Sequence, residues 1–370
     1  MSSDRLKILH IITSLRIGGA ERLVADMLLR LRERGHQVEL IVFDGTETPF
    51  YEQLERQNIK IRSFGHGAVQ MWNPLHALRL KKYLDRGRFD IIHTHNTPCQ
   101  LLTALAAGRN APVLVTTEHN TFNRRRNWAW FGDIDRRMYD KYSHIACVGE
   151  QTQYNLVRRL GNGFDTGKIS VVYNGIDLKR YMDVEADCSL RETADNGCHI
   201  VSMIAAFREQ KDQKTLIRAM KLLPDDYRLW LAGDGVMRRS CERLAEELDI
   251  TERVRFMGFR SDAAAIMAAS DAVVLSSHYE GMSLACIEGM ASGKPFIASD
   301  VEGLRDVVDG AGLLFPNEDH KRLAELIRKV CEDSVFASET AARCRARAVQ
   351  YDIENVVSDY ERIYRKLLNK

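Results

Sequence analysis

The residues best suited to chemistry lie in one stretch, Ser276-Ser-His-Tyr-Glu280-Gly281-Met282-Ser283-Leu284-Ala-Cys-Ile-Glu288-Gly-Met-Ala-Ser-Gly293-Lys-Pro295. It follows a buried, β-branched run and opens a helical one. Ser283 is placed to cap the helix N-terminus, and Gly293 with Pro295 to stop it. The backbone N–H groups from Gly281 through Met282, Ser283 and Leu284 then present an anion site at the positive end of the helix dipole. Glu288, about one turn into the helix, can accept hydrogen bonds from two adjacent hydroxyls such as a ribose diol. Glu280 stands in the loop at the mouth. The plainer reading is that both glutamates favour a helix N-terminus and hold loops in place.

Other candidates are scattered. Gly18 and Gly19 occupy a strand-to-helix turn, where the lack of a side chain lets backbone approach a phosphate; a plain tight turn would look the same. Ala20, Glu21 and Arg22 follow, so the run is not G-x-G-x-x-G and a dinucleotide dehydrogenase is poorly supported. His119, at the carboxyl end of a strand over 113–116, is placed to enter a cleft, with a satisfied core histidine as the ordinary alternative. His95 is placed in the same way. Arg124, Arg125, Arg126, Trp128 and Trp130 set cations beside aromatics, as at a membrane interface, an anionic acceptor site or a single-stranded nucleic-acid surface. Trp72, Arg79, Lys81 and Lys82 add to a shallow membrane contact. Asp133-Ile-Asp135 looks like an Asp-x-Asp metal motif but lies in a charged helical stretch, and no metal is assigned to it.

Elements must hold these residues in place, and the chain is long enough for two sets. Its 370 residues suggest two domains at about 100 to 200 residues each. Hydrophobic residues make up 45% and charged residues 28%, with a mean hydropathy of -0.30, which excludes collagen-like, disordered and integral-membrane classes. No apolar window reaches the roughly 18 residues of a membrane span, and the cytoplasm is the expected location. Eight scattered cysteines without Cys-x-x-Cys spacing read as reduced, mostly buried thiols. Residues 1–180 carry a net +9 and 181–370 a net -7, so the first half favours an acidic partner such as a diphosphate or an anionic membrane surface.

Apolar β-branched runs alternate with stretches of helical period, the pattern of helices covering a parallel sheet. Strands are expected at 6–13, 38–43, 59–64, 91–94, 113–116, 144–148 and 169–173, with an amphipathic helix over 20–34. After a polar connection over 174–197, strands follow at 200–205, 227–232, 254–256, 272–275, 295–298 and 313–315. Helices are expected near 213–222, 236–248, 262–269, 284–292 and 319–332. The fold class is therefore α/β, two tandem Rossmann-like doubly wound domains, 1–180 and 181–370, the last helix being free to pack back on the first. Such domains place a ligand site in the cleft between them, at the carboxyl ends of the strands.

Glu280 and Glu288, with seven residues between them, match the E-x7-E signature of retaining glycosyltransferases, and the chain resembles family 4 of these enzymes over nearly its whole length. Gly18-Gly-Ala-Glu21, His93-Thr-His95, Thr117-Glu-His119-Asn120, Asn174-Gly-Ile-Asp177, Gln210-Lys211-Asp212, Gly233-Asp-Gly235 and Gly258-Phe259 occur in the family's order and spacing. The resemblance implies the GT-B fold. It also implies that Glu288 binds the nucleotide ribose, that Glu280 faces the sugar hydroxyls or the reacting phosphate, and that backbone amides at 282–284 hold the diphosphate. Lys211 matches the lysine that neutralises the departing diphosphate, a task suited to a compact cation. The family places an arginine five residues earlier, where this chain has Ala206, and Arg208 stands nearby as a substitute. His119 matches the histidine that touches the donor sugar. Gly258 and Phe259 match the segment that reads the base, although Phe259 could equally be core.

The reaction so implied moves a sugar from a nucleotide diphosphate donor, UDP by family frequency, to a hydroxyl of a saccharide acceptor. The acceptor is expected to be lipid-linked and to serve cell-envelope polysaccharide synthesis at the inner face of the cytoplasmic membrane. Retention follows from same-face attack or from double displacement through Glu280. No metal, cofactor or nucleic acid is expected. A nucleotide-sugar epimerase of the same architecture is the alternative, and a non-catalytic two-lobed binding protein would give no reason for Glu280, Glu288 and Lys211 to converge.

Overall fold

The structure is a computed structural model that describes residues 5–108, 111–119, 131–184, 188–192 and 197–369. The chain divides into two compact units, Met1–Gly175 with Ile353–Lys370, and Ile176–Asp352. The division thus falls after Gly175, and the final helix goes with the first unit.

The first unit is built on a wholly parallel sheet of β1 (Lys7–Ser14), β2 (Gln37–Asp44), β3 (Lys60–Ser63), β4 (Ile91–His95), β5 (Val113–Glu118), β6 (His144–Cys147) and β7 (Ile169–Val171). Their spatial order is β3-β2-β1-β4-β5-β6-β7. β1 and β2 are buried along nearly their whole length, which is why they read as continuous apolar runs rather than alternating ones. The helix Gly19–Glu33 buries Leu23, Val24, Met27, Leu28 and Leu31 on one stripe, with Glu21 in its first turn and Arg30 and Arg32 in its last to complement its dipole.

The helix Ile353–Leu367 buries Ile353, Val356, Val357, Tyr360 and Tyr364 at helical spacing, and these join Leu6, Ile8, Leu28 and Leu31 in one core. Its polar rim is tied as well. Arg34 donates to the Glu354 carbonyl at 3.0 Å and to Ser358 Oγ at 3.0 Å, and His36 Nε2 lies 2.5 Å from the Glu361 carboxylate.

The second unit holds β8 (His199–Ile204), β9 (Tyr227–Ala232), β10 (Val254–Gly258), β11 (Ala272–Leu275), β12 (Phe296–Ser299) and β13 (Leu313–Phe315), again all parallel. Their order is β10-β9-β8-β11-β12-β13. Each sheet therefore changes winding direction at one place, between β1 and β4 in the first unit and between β8 and β11 in the second. In doubly wound sheets ligands bind outside the carboxyl ends of the strands at that switch point. Candidate residues from the sequence follow β1, β8 and β11 within a short loop, and β4 ends on one, His95.

Candidate functional site

In the second unit the site is set by backbone before side chains. β8 runs into a turn at Ala205–Arg208 that lies directly against Gly233-Asp234-Gly235 after β9. Phe207 N donates to Asp234 O at 2.9 Å, Met237 N to Phe207 O at 3.0 Å and Gly233 N to Gly258 O at 2.7 Å. A Cβ on Gly233 would stand 2.0 Å from Ala205 O, and one on Gly235 2.4 Å from Phe207 O, at φ of +140° and +152°. Only glycine permits this approach. The motif therefore fixes the course of the next residues, Arg208 to Asp212. Gly258, at φ +67°, supplies the carbonyl that closes the arrangement.

Asp212 takes a left-handed conformation, φ +45°, and caps the helix Gln213–Lys221 by accepting from Thr215 N at 3.3 Å. The strand end of β11 is stitched to this segment. Ser276 Oγ donates to Asp212 O at 2.8 Å, and His278 N donates to Gln210 O at 2.8 Å. Gln210 Nε2 donates to Tyr279 O at 2.9 Å.

The stitching converges on Glu280. Its carboxylate accepts from Ser277 Oγ at 2.6 Å and Gln210 Nε2 at 3.3 Å, and it forms an ion pair with Lys211 Nζ. Both members of the pair are largely withdrawn from solvent, with side-chain exposures of 16% for Lys211 and 7% for Glu280. Two residues assigned separate tasks from the sequence thus hold one another. A residue outside every motif, Gly303, makes room for them: at φ +84° its Cβ position lies 2.5 Å from the carbonyls of Glu280 and Gly281.

The helix Leu284–Ala291 begins directly after this loop. Ser283 occupies the cap position, but its hydroxyl makes no capping hydrogen bond; the expectation of a side-chain cap is corrected to a helix start without one. Glu288 is buried on this helix. The neighbouring Gly289 packs so closely that a Cβ would meet the Phe296 ring at 2.4 Å, which fixes the helix on the sheet.

Phe259 is exposed, so it is no core residue. Arg208 is exposed and lines a cavity of about 450 Å³ with Asp212, Gln213, Arg218 and His278. Among the described residues, Lys211 and Glu280 do not line that cavity.

In the first unit Gly18 takes the cap position of the helix Gly19–Glu33 in extended backbone, φ -172°, a conformation open to any residue. What Gly18 provides here is space that the Glu21 side chain fills rather than an unusual turn: a Cβ at this position would stand 2.3 Å from Glu21 Oε2. Asp44, buried at the end of β2, pins the surrounding loops: Arg16 Nε donates to it at 3.2 Å, Thr46 Oγ1 at 2.6 Å and Gly67 N at 2.8 Å. Burial alone would raise its pKa, but these bonds hold it below the usual range.

On β1 and β4, and just after β5, lie histidines that no single motif joined. Nδ1 of His10 is 3.0 Å from Nε2 of His95, and Nδ1 of His95 is 3.1 Å from Nε2 of His119. His93 contacts the Tyr364 hydroxyl at 2.6 Å and Thr117 Oγ1 at 2.7 Å, and Thr117 Oγ1 lies 2.7 Å from the Tyr360 hydroxyl. Burial pushes His10 down to about 3 and His119 to about 4, and holds His93 and His95 well below the ordinary histidine value. Nitrogens of His10, His93 and His95 lie within 4.8 Å of one another, close enough to ligate a cation. Both nitrogens of His93 and both of His95 already have hydrogen-bonding partners, so an ion would have to displace them.

Asp135, from the Asp-x-Asp pair, is buried and ion-paired to Arg159 at 3.4 Å. Arg124, Arg125, Arg126, Trp128 and Trp130 lie outside the described residues. Sequence could not have found His10, whose neighbours are ordinary strand residues, or the Lys211–Glu280 pair, whose members are far apart in the chain.

Comparison with known proteins agrees in both units. A model of the Glycosyltransferase Family 4 matches residues 17–180, and a model of the glycosyl transferases group 1 matches residues 191–351. The chain is 28% identical over 342 residues to the lipopolysaccharide core biosynthesis glycosyltransferase LpsD of Rhizobium meliloti, covering 91% of each chain. It is 25% identical over 292 residues to the UDP-Gal:alpha-D-GlcNAc-diphosphoundecaprenol alpha-1,3-galactosyltransferase of Escherichia coli, covering 74% of each. The crystal structure of Anabaena Alr3699/HepE in complex with UDP and glucose superposes with a TM-score of 0.84 at 22% identity, covering 97% of this chain and 99% of that one.

Proposed function

The chain belongs to the family 4 glycosyltransferases, and from that premise we propose that it moves a sugar from a UDP-sugar to a hydroxyl of a lipid-linked saccharide, with retention and without a metal. The observation that carries the reading is the convergence of Lys211, Gln210 and Ser277 on Glu280 at the switch point of the second unit. The LpsD and E. coli relatives, by their names, act on lipopolysaccharide core and on a diphosphoundecaprenol-linked sugar, which supports envelope polysaccharide as the product class. Both family models describe glycosyltransferases, and the epimerase alternative gains no support from them.

Breaking the anomeric bond puts negative charge on the leaving diphosphate and positive charge on the sugar ring. Lys211 and the open amides at the start of Leu284–Ala291 stabilise the first. Glu288 takes the ribose hydroxyls, and Gly258 with Phe259 borders the base. Gly18 and Gly19, at the start of the helix Gly19–Glu33, border the donor phosphates, and His119 meets the donor sugar. Glu280, already accepting from three donors, is a weak nucleophile. That favours same-face attack, with the leaving phosphate taking the acceptor's proton, over double displacement.

The acceptor is placed on the first unit, at an anionic membrane surface on the cytoplasmic side. Val69, Trp72, Leu75 and Leu78 are exposed there, and Lys60, Arg62, Arg79, Lys82 and Arg86 line a cavity of about 640 Å³. Arg124, Arg125, Arg126, Trp128 and Trp130 extend the same chemistry in the sequence. No helix among the described residues is long and apolar enough to cross a membrane, so contact would be at the surface.

A panel of UDP-, GDP- and ADP-sugars, assayed with acceptor lipid for nucleotide release in EDTA, tests the reading. Release from a UDP-sugar that EDTA does not diminish supports it. Dependence on a divalent metal, or turnover of donor without nucleotide release, refutes it. Failure of the protein to float with anionic vesicles refutes the membrane part alone.

A further inference from the structure

His10, His93 and His95 are fully buried on β1 and β4, and His119 follows β5 at a partly exposed edge. Three of the four form a line, His10 to His95 to His119, through contacts of 3.0 and 3.1 Å. Each contact needs one N–H and one lone pair, and a neutral imidazole has one of each. Burial keeps all of them neutral near pH 7. The line therefore has only two proton arrangements. With every N–H directed outward, a lone pair is left on His10 Nε2 and an N–H on His119 Nδ1. With every N–H directed inward, an N–H is left on His10 Nε2 and a lone pair on His119 Nδ1.

His10 Nε2 decides between them, because it is buried and has no hydrogen-bond partner among the described residues. A buried N–H without an acceptor is the rarer defect, and an unfilled acceptor is better tolerated. We propose that His95, at the end of a line whose buried terminus on His10 carries no proton, is a positioning residue that holds His119 in its Nδ1–H form, so that it meets its ligand as a hydrogen-bond donor to a hydroxyl oxygen. His93 stands beside the line and leaves its order intact, since its nitrogens face Tyr364 and Thr117. The consequence for a sugar rests on the placement of His119 at the donor; the proton order itself does not.

Two-bond ¹H–¹⁵N correlation spectra of histidine-labelled protein at pH 7 read the proton order directly, with His119→Gln assigning the resonance. The expected spectrum shows His119 protonated on Nδ1 and bare on Nε2. Protonation on Nε2 overturns the proposal, as does a stoichiometric divalent metal retained by the purified chain. His95→Leu removes the donor to His119 Nε2 and is expected to leave His119 as a mixture of tautomers, while His10→Leu, which leaves the buried His95 Nε2 as the bare end of the line, keeps the single form. A single unchanged form in the His95 variant overturns the role of His95; if that variant does not fold, the wild-type spectrum decides. In the nucleotide-release assay His95→Leu should raise donor KM about twofold, as the competent tautomer falls to about half, with kcat unchanged. An unchanged KM beside a changed tautomer overturns the sugar contact and leaves the proton order standing.

Discussion

Lys211 and Glu280 form a charge pair with little solvent around it, and such a pair is stable only while both partners are present. Lys211→Met should destabilise the second unit by about 3 kcal/mol, because Glu280 then stays charged beside only two neutral donors. The double variant Lys211→Met with Glu280→Gln should regain most of that stability in urea unfolding and none of the activity. A single variant as stable as the wild type would show that the pair is solvated and its geometry unimportant. Acid acts on the histidines of the first unit. His119 and His144 titrate near 4 and His10 near 3 in the fold against 6.5 when unfolded, so the unfolded chain binds more protons between those values. Their contribution is complete above pH 6.5 and is lost as pH falls toward 4, by up to about 1.4 kcal/mol per pH unit for each group. Thermal melts between pH 7 and 4.5 should show the first unit weakening; a flat profile would mean that these rings are hydrated. At this scale the sequence revealed residue types and their places, His119 just after a strand, Glu280 in the loop before a helix and Glu288 on that helix. It did not reveal pairing, because partners such as His10 and His95 are joined only by strand order.

Among elements, the close crossing of the Ala205–Arg208 and Gly233–Gly235 turns positions Lys211, and its tolerance is a matter of one Cβ. Gly233→Ala meets Ala205 O and should cost about 3 kcal/mol and displace the Lys211 turn. Gly35, at φ +92° behind the helix Gly19–Glu33, has nothing within 4 Å of its Cβ position, and Gly35→Ala should cost only about 1 kcal/mol. Equal losses for the two, measured by chemical denaturation, would mean that backbone conformation alone and not the crossing sets the penalty. The thirteen strands among the described residues were legible, most of them because buried parallel strands are continuous apolar runs bounded by turns; the edge strand β3, half exposed, shows instead as an alternation of Ile59 and Ile61 with charged residues. The Ser283 cap was legible as a position and not as a bond, since hydrogen bonding there depends on a rotamer that sequence does not specify.

For the whole molecule, the chain returns its last helix to the first unit, where Tyr360 and Tyr364 reach Thr117 and His93. Deleting residues 353–370 should therefore abolish hydrogen-exchange protection in β1 and β4 and spare β8 and β9; protection lost only in the second unit would contradict that assignment. The two-domain count and the α/β class followed from length and period. The return of the last helix to the first unit was open to the sequence only as an option, since an apolar stripe fits any sheet face; Ile353, Val356, Val357, Tyr360 and Tyr364 realise it in the first unit's core. The central claim, that the second unit holds a nucleotide diphosphate through Glu288 and the helix it sits on, needs no acceptor to be tested. Calorimetric titration of UDP into the wild type and into Glu288→Ala reads it directly. The account requires binding by the wild type and at least a roughly tenfold loss in the variant, the worth of a charge-assisted hydrogen bond to the ribose. Equal affinity for UDP in both, or no binding by a folded wild type, would contradict it.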